Sequence, residues 1–177
     1  MNLPHVGKAL AVATFATFAA GNAFAEIQGT LGPTSQGSID ITLTIDPLVQ
    51  ISALDDIDLG NYTGAANMTG ADDLCVYSNT GAYQITATGN GAGLAFHLIG
   101  TSATVPYTVE WADAAGAGTG DALTTNTPLT GQSGTITTPN CDGGNNARVI
   151  VTANSTDIAP APAGNYVGVL TLVVAPE

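Results

Sequence analysis

Hydrophobic and polar residues alternate in several short runs of the chain. In residues 38–46 the apolar positions are Ile39, Ile41, Leu43 and Ile45, and the polar positions between them are Asp40, Thr42 and Thr44. Residues 83–88 and 107–111 repeat this period of two, which is typical of a strand with one buried face. Apolar runs at 48–53, 74–78, 94–99 and 147–153 predict further strands, and helical periodicity is almost absent.

The last apolar run, residues 166–174, differs because both of its faces are hydrophobic. One face carries Tyr166, Leu170, Leu172 and Val174, and the other carries Val167, Val169 and Val173. A strand that is apolar on both faces is typical of a central position, with neighbours over both faces or along both edges. This pattern predicts a central strand.

Turn signals separate the runs. Asn90-Gly91 and Asp142-Gly143 each predict a hairpin with positive φ at both turn positions. The chain also has a glycine-rich loop at 114–121 and a Pro160-Ala161-Pro162 stretch before the final strand. About seven to nine short strands with such turns predict one all-β domain, an antiparallel β-sandwich.

Residues 1–25 have the composition of a secretory signal peptide. Lys8 precedes an uncharged apolar stretch, and Ala23-Phe24-Ala25 offers small residues for cleavage. An uncleaved membrane anchor is the alternative. Later apolar stretches are all shorter than the roughly 18 residues of a spanning helix, so we expect no transmembrane segment in the mature chain.

Charge excludes two classes of partner. The chain has 2 Lys and Arg residues against 14 acidic residues, and its net charge is −12. Loss of Lys8 with the signal peptide leaves Arg148 as the single fixed cation. Such a chain cannot neutralise phosphates, which excludes nucleic acid, and it cannot bind an anionic membrane surface through charge.

The two cysteines, Cys75 and Cys141, are predicted to form a disulfide after export. Closing this loop would stabilise the fold by about 4 kcal/mol in the chain-entropy model. A metal pair or a catalytic thiol is the alternative, although only His97 remains in the mature chain to assist either.

Candidate catalytic and metal-binding residues are few. His97 lies in a strand-like run, and no Gly-x-Ser-x-Gly elbow accompanies it. Paired carboxylates could serve glycoside hydrolysis, and loop oxygens could bind calcium, but solvated turns are the favoured interpretation. The carboxylates are Asp55, Asp56, Asp58, Asp72 and Asp73, and the second calcium candidate is Asp142 with Asn145 and Asn146. We therefore expect no catalysis, no metal and no cofactor.

Two segments resemble one family. Residues 39–47, IDITLTIDP, resemble the N-terminal donor strand of alpha-type (class 5) chaperone–usher pilins. Residues 163–173, AGNYVGVLTLV, resemble the final strand of the same pilins and of the archaic, spore-coat-U-like group. The cysteine pair is similar to the archaic branch, whereas class 5 major pilins generally lack cysteine.

The resemblance implies an immunoglobulin-like sandwich that is incomplete and has a groove beside its final strand. A periplasmic chaperone fills this groove first, and at the outer-membrane usher the donor strand of the next subunit replaces it. The implied donor side chains are Ile39, Ile41, Leu43 and Ile45. The implied acceptor-groove residues are Tyr166, Val167, Val169, Leu170, Leu172 and Val174.

These inferences divide the chain into a signal peptide (1–25), an N-terminal extension with the donor strand (26–46) and a pilin domain (47–177). The expected function is that of a structural subunit that polymerises by donor-strand exchange into a surface fimbrium for adhesion or biofilm formation. The alternative is a secreted sandwich that completes itself with its own N-terminal strand and binds carbohydrate or calcium. Periodicity alone leaves open which molecule's sheet residues 38–46 enter.

Overall fold

The computed structural model describes residues 26–64 and 66–177, so the predicted signal peptide lies outside the described residues. The chain divides into two units between Thr44 and Ile45. Strands dominate the second unit, and the described residues include a single α-helix, α1 (Ser155–Ile158). In chain order the strands are β1 (Val49–Ser52), β2 (Met68–Ser78), β3 (Ala82–Gly89), β4 (His97–Ile99), β5 (Thr104–Pro106), β6 (Thr108–Ala112), β7 (Asp121–Ala122), β8 (Leu129–Ser133), β9 (Ala147–Ala153) and β10 (Leu170–Pro176).

The strands form two main sheets and a small third one. The first sheet has the order β1-β2-β9-β6-β7, the second has the order β10-β3-β8, and β4 pairs with β5. Every ladder between these strands is antiparallel. The architecture is an immunoglobulin-like antiparallel β-sandwich, which confirms the predicted fold class.

The core lies between the two main sheets and follows the alternation of the sequence. Tyr83, Ile85 and Ala87 on β3 are fully buried, and so is Trp111 on β6. The polar residues between them point to the opposite face of the strand, as the pleat requires. Burial of each large apolar side chain contributes about 1.5–3 kcal/mol, so this alternation is what holds the two sheets together.

The predicted disulfide is confirmed. Cys75, on β2, is bonded to Cys141 in the 3₁₀ turn Cys141–Gly143, with a Cα–Cα distance of 6.0 Å. The bond ties the loop before β9 to β2, the second strand of the first sheet.

The expected central position of the last strand is wrong. Within the described residues β10 pairs with β3 along one edge only. Upstream of it, Val167 forms an isolated bridge with Ile99. β10 is therefore an edge strand, although both of its faces are apolar.

Neither predicted hairpin forms. Gly91 has φ of −68°, and the reversal occurs later, at Gly93 and Leu94, where φ is 69° and 64°. The Gly91 amide donates to Ala95 O at 3.1 Å, which closes this wider turn. Asp142 and Gly143 do have the predicted positive φ, 51° and 80°, but they do not join two strands that pair with each other.

Two further expectations are corrected by the packing of β2 and β4. Asp72 and Asp73 lie inside β2 rather than in a solvated turn, and Asp72 is buried. Of the predicted strand 94–99 only His97–Ile99 forms a strand, because Leu94 and Ala95 take part in the turn that follows β3.

Candidate functional site

The outer edge of β10 presents a row of backbone groups that have no partner among residues 26–64 and 66–177. In an antiparallel pair, alternate residues direct both backbone groups toward the partner strand. The Glu177 amide donates to Ala82 O of the neighbouring strand at 3.2 Å, and the Val169 amide donates to Asn90 Oδ1 at 3.0 Å. The backbone amides and carbonyls of the odd-numbered residues thus point toward β3. The amides and carbonyls that point to the open edge are those of Leu170, Leu172 and Val174.

The opposite border is formed by the chain that follows β1. β1 pairs with β2 up to Ser52, and at Ala53 the backbone takes a φ of 58° and leaves the ladder. Beyond this point a side chain replaces the backbone partner, because Asp72 Oδ2 accepts the Asp55 amide at 2.9 Å. Ile57 lies over Gly70, where a β-carbon would stand 2.5 Å from Ile57 Cγ2. Residues 54–60 are therefore held along β2 without a backbone ladder.

A groove of about 1110 Å³ lies between these two borders. Its floor includes Val149, Val151 and Ala153 of β9, each at most 6% exposed. Tyr107 also lines it, stacks on Phe96 with ring centroids 5.7 Å apart, and has a pKa that burial raises. The groove exposes part of the apolar interior of the sandwich.

Five of the six predicted groove residues lie at the groove, in two groups. Tyr166, Leu170 and Leu172 line the groove and are half-buried, and Tyr166 also donates its hydroxyl to Pro162 O at 2.8 Å. Val167 and Val169 border it too, but their side chains are 58% and 55% exposed.

Val174 is half-buried and packs against the core without lining the groove. Sequence reasoning missed the rest of the lining. The missed residues share inward-facing apolar positions on distant segments and include Ile57, Leu59, Leu98, Tyr107, Val149 and Val151. In the sequence each of these residues has the pattern of an ordinary core position, so no local signal indicates that they line one groove.

Residues 38–46, which resemble a donor strand in sequence and are called the donor segment below, expose large apolar side chains. Ile39, Ile41, Leu43 and Ile45 are 74%, 89%, 84% and 74% exposed. In the described part of the chain, residues 39–46 belong to no sheet, and Ser38 alone forms an isolated bridge, with Ile27. Four exposed side chains at alternating positions form the kind of apolar surface that marks an interaction site.

The other candidate chemistry is dispersed. His97 lies in β4 opposite Pro106. Asp55, Asp56 and Asp58 lie in the exposed segment that borders the groove, and Asp58 Oδ1 accepts the Gly60 amide at 2.8 Å. Within residues 26–64 and 66–177, no group of three His, Cys, Asp or Glu side chains is placed to hold a metal ion.

The single arginine is engaged inside the molecule. Arg148 Nε lies 3.1 Å from Asp73 Oδ1, and Arg148 Nη1 donates to Ala117 O at 2.9 Å. Partly exposed ion pairs of this kind contribute little to stability, about 0–1 kcal/mol. Since Lys8 is the chain's only other Lys or Arg, Arg148 is the single fixed cation of the described sandwich, and this cation is already paired.

No helix in the described ranges is long and apolar enough to cross a membrane. Comparison with family models and with curated proteins found no match. Among solved structures, the chain is similar to a chain from a chaperone–tip adhesin complex of CFA/I fimbriae biogenesis, with a TM-score of 0.48 and 18% identity. The match covers 73% of this chain and 42% of that chain, so this chain spans less than half of the length of its structural neighbour.

Proposed function

We propose that this protein is a structural pilin whose sandwich is completed by the donor segment of a second copy. One observation carries the proposal. The same chain has an apolar groove bordered by the unpaired edge of β10, and an exposed segment whose apolar side chains alternate with the period of a strand. Each feature supplies what the other lacks, and catalysis is no part of the proposed role.

Strand addition to β10 would give the edge backbone its hydrogen-bond partners and would bury the apolar donor side chains. The amides and carbonyls of Leu170, Leu172 and Val174 would bond to the incoming strand, and every second side chain of that strand would enter the groove. Burial of the four apolar donor side chains would contribute about 6–12 kcal/mol, at about 1.5–3 kcal/mol each. Alternation also sets the register, because a slip by one residue would bury Asp40, Thr42 and Thr44 instead.

The proposed contact is head-to-tail, since the donor segment and the groove are different surfaces of one chain. A heterologous contact that does not close into a ring builds an open filament. The product would be a surface fimbrium, used for adhesion or biofilm formation.

Assembly would require export and protection of the groove. We propose that residues 1–25 direct export to the periplasm, where a chaperone covers the groove. An outer-membrane usher then replaces the chaperone with the next subunit. An open, apolar strand edge is an aggregation hazard, which is the physical reason for such a chaperone.

Deletion of residues 26–46 tests this function. The shortened chain, produced with its chaperone, should remain a soluble complex and form no filaments, because it keeps its groove and lacks the donor segment. A synthetic peptide of residues 38–46 should then bind the chain released from the chaperone and raise its melting temperature. A peptide in which Ile39, Ile41, Leu43 and Ile45 are replaced by Thr is the matched control.

Two results would contradict the proposal. One is a full-length mature chain that stays monomeric and folded while residues 39–45 are protected from hydrogen exchange. The other is a shortened chain that no longer folds with the chaperone, as a self-complemented sandwich requires.

A further inference from the structure

One side chain forms hydrogen bonds to the backbone at the point where the donor segment joins the sandwich. Asn79 Oδ1 accepts the Leu48 amide at 2.7 Å, and Asn79 Nδ2 donates to Asp46 O at 2.8 Å. The Asn79 amide also donates to Leu48 O at 3.0 Å. A single residue thus makes three hydrogen bonds to the backbone of residues 46–48, which we call the junction.

Burial does little to hold the junction in place. Asp46 and Pro47 are exposed, and Leu48 is 60% exposed. The first sheet begins only after it, at Val49. Since apolar stabilisation scales with the area removed from water, the hydrogen bonds of Asn79 are the main restraint on these residues.

Asn79 lies in the turn between β2 and β3, and several hydrogen bonds hold this turn in place. The Gly81 amide donates to Ser78 O at 2.9 Å, and Gly81 has a φ of 81°, which favours glycine. Ser78 is fully buried and donates its hydroxyl to Ala82 O at 2.8 Å. The Gly134 amide donates to Gly81 O at 3.0 Å from a third segment. The turn joins one strand of each main sheet, so Asn79 is anchored to both.

We propose that Asn79 is a positioning residue that fixes the path of the chain at the junction and thereby stiffens the link between successive subunits. The inference rests on the proposed function, because stiffness matters only if the donor segment joins one subunit to the next. In such a polymer, any bending between a subunit and the strand it donates passes through residues 46–48. Pro47 already fixes its own φ and restricts Asp46 to extended conformations, and Asn79 restrains the neighbouring amide and carbonyls.

Hydrogen exchange at the Leu48 amide tests the clamp on the full-length soluble chain, without filaments. Asn79→Ala removes the acceptor, so this amide should exchange up to about tenfold faster, the range expected for one lost hydrogen bond. Asn79→Asp keeps an acceptor but loses the donor to Asp46 O, so Leu48 should exchange more slowly in it than in the alanine variant. Asn145→Ala is the matched control, since Asn145 Nδ2 donates to Asp73 O away from the junction.

Electron microscopy of filaments tests the mechanical consequence. Asn79→Ala subunits should still polymerise, with unchanged spacing along the filament, but their filaments should have a shorter persistence length than those of wild type and Asn145→Ala. Unchanged Leu48 exchange in Asn79→Ala would overturn the clamp. Faster exchange with an unchanged persistence length would overturn its role in stiffness.

Absence of filaments from the wild-type chain would contradict the proposed function, and with it the role in stiffness. The exchange result would still decide, by itself, whether Asn79 restrains the junction.

Discussion

The indole nitrogen of Trp111 donates a hydrogen bond to the Tyr83 hydroxyl at 3.0 Å across the interior of the sandwich. The two rings meet edge to face, with centroids 6.3 Å apart. Tyr83 donates in turn to Asp113 Oδ1 at 3.0 Å, and Asp113 Oδ2 accepts the Ser133 amide at 2.7 Å. This chain of bonds links β6 of the first sheet to β3 and β8 of the second.

Tyr83→Phe should lower the free energy of unfolding by about 1–3 kcal/mol, because it leaves the buried Trp111 N–H without an acceptor and removes the donor to Asp113. Urea unfolding followed by tryptophan fluorescence measures the change. Tyr77→Phe is the control, because the Tyr77 hydroxyl forms no hydrogen bond with the described residues. An equal decrease in the free energy of unfolding of the two variants would show that the hydrogen bonds of Tyr83 add no stability.

Stability should also fall in alkali. Burial, and then the negative charge of Asp113, raise the pKa of Tyr83 well above the usual tyrosine range, and burial raises that of Tyr107. A raised pKa favours the protonated form in the folded state. The associated stability is therefore fully present below the unfolded tyrosine pKa of about 10 and is lost as pH rises from there toward the folded values.

The urea concentration at the midpoint of unfolding should be measured from about pH 8 to about pH 11. It should fall steeply above about pH 10, which is the ordinary tyrosine pKa. In Tyr83→Phe the urea midpoint should decrease less steeply with pH, and the decrease that remains is due to Tyr107. An identical slope in wild type and Tyr83→Phe would contradict the assignment.

The disulfide should contribute substantially to stability. It closes a sequence separation of 66 residues, for which the chain-entropy model gives about 4 kcal/mol. Replacing Cys75 and Cys141 together by Ser should lower the free energy of unfolding by roughly this amount, and reduction of the wild-type protein should have a similar effect. Unfolding midpoints with and without reductant provide the measurement, and the double variant should not respond to reductant.

One substitution in the donor segment should abolish polymerisation while its neighbour is tolerated. Leu43→Asp removes an apolar group worth about 1.5–3 kcal/mol and adds a carboxylate that cannot be buried without a partner. Thr42→Asp introduces the same charge on the alternate face and should still polymerise. Filament yield by electron microscopy distinguishes them, and equal yields from the two variants would count against insertion of this segment into the groove.

The parts of the fold that follow from local alternation were predictable. The inward positions of β3 and β6, such as Ile85 and Trp111, are spaced two apart, and the core uses them in that way. The position of β10 was predicted wrongly, because its second apolar face is left uncovered, with Val173 56% exposed, and because side-chain hydrophobicity carries no information on the pairing of a strand edge. Whether a strand edge is paired depends on backbone groups, and these are the same for every residue except proline.

The sequence by itself predicted a predominantly β-forming chain with a disulfide between Cys75 and Cys141, since alternation and cysteine count are local or compositional properties. It also predicted that residues 38–46 form a strand with one apolar face, whereas residues 39–46 belong to no sheet in the described part of the chain. Only the tertiary structure decided that the edge of β10 is open, that residues 54–60 border a groove beside it, and that Asn79 holds the junction. These features bring together segments far apart in the sequence, and their distances depend on how the two sheets pack.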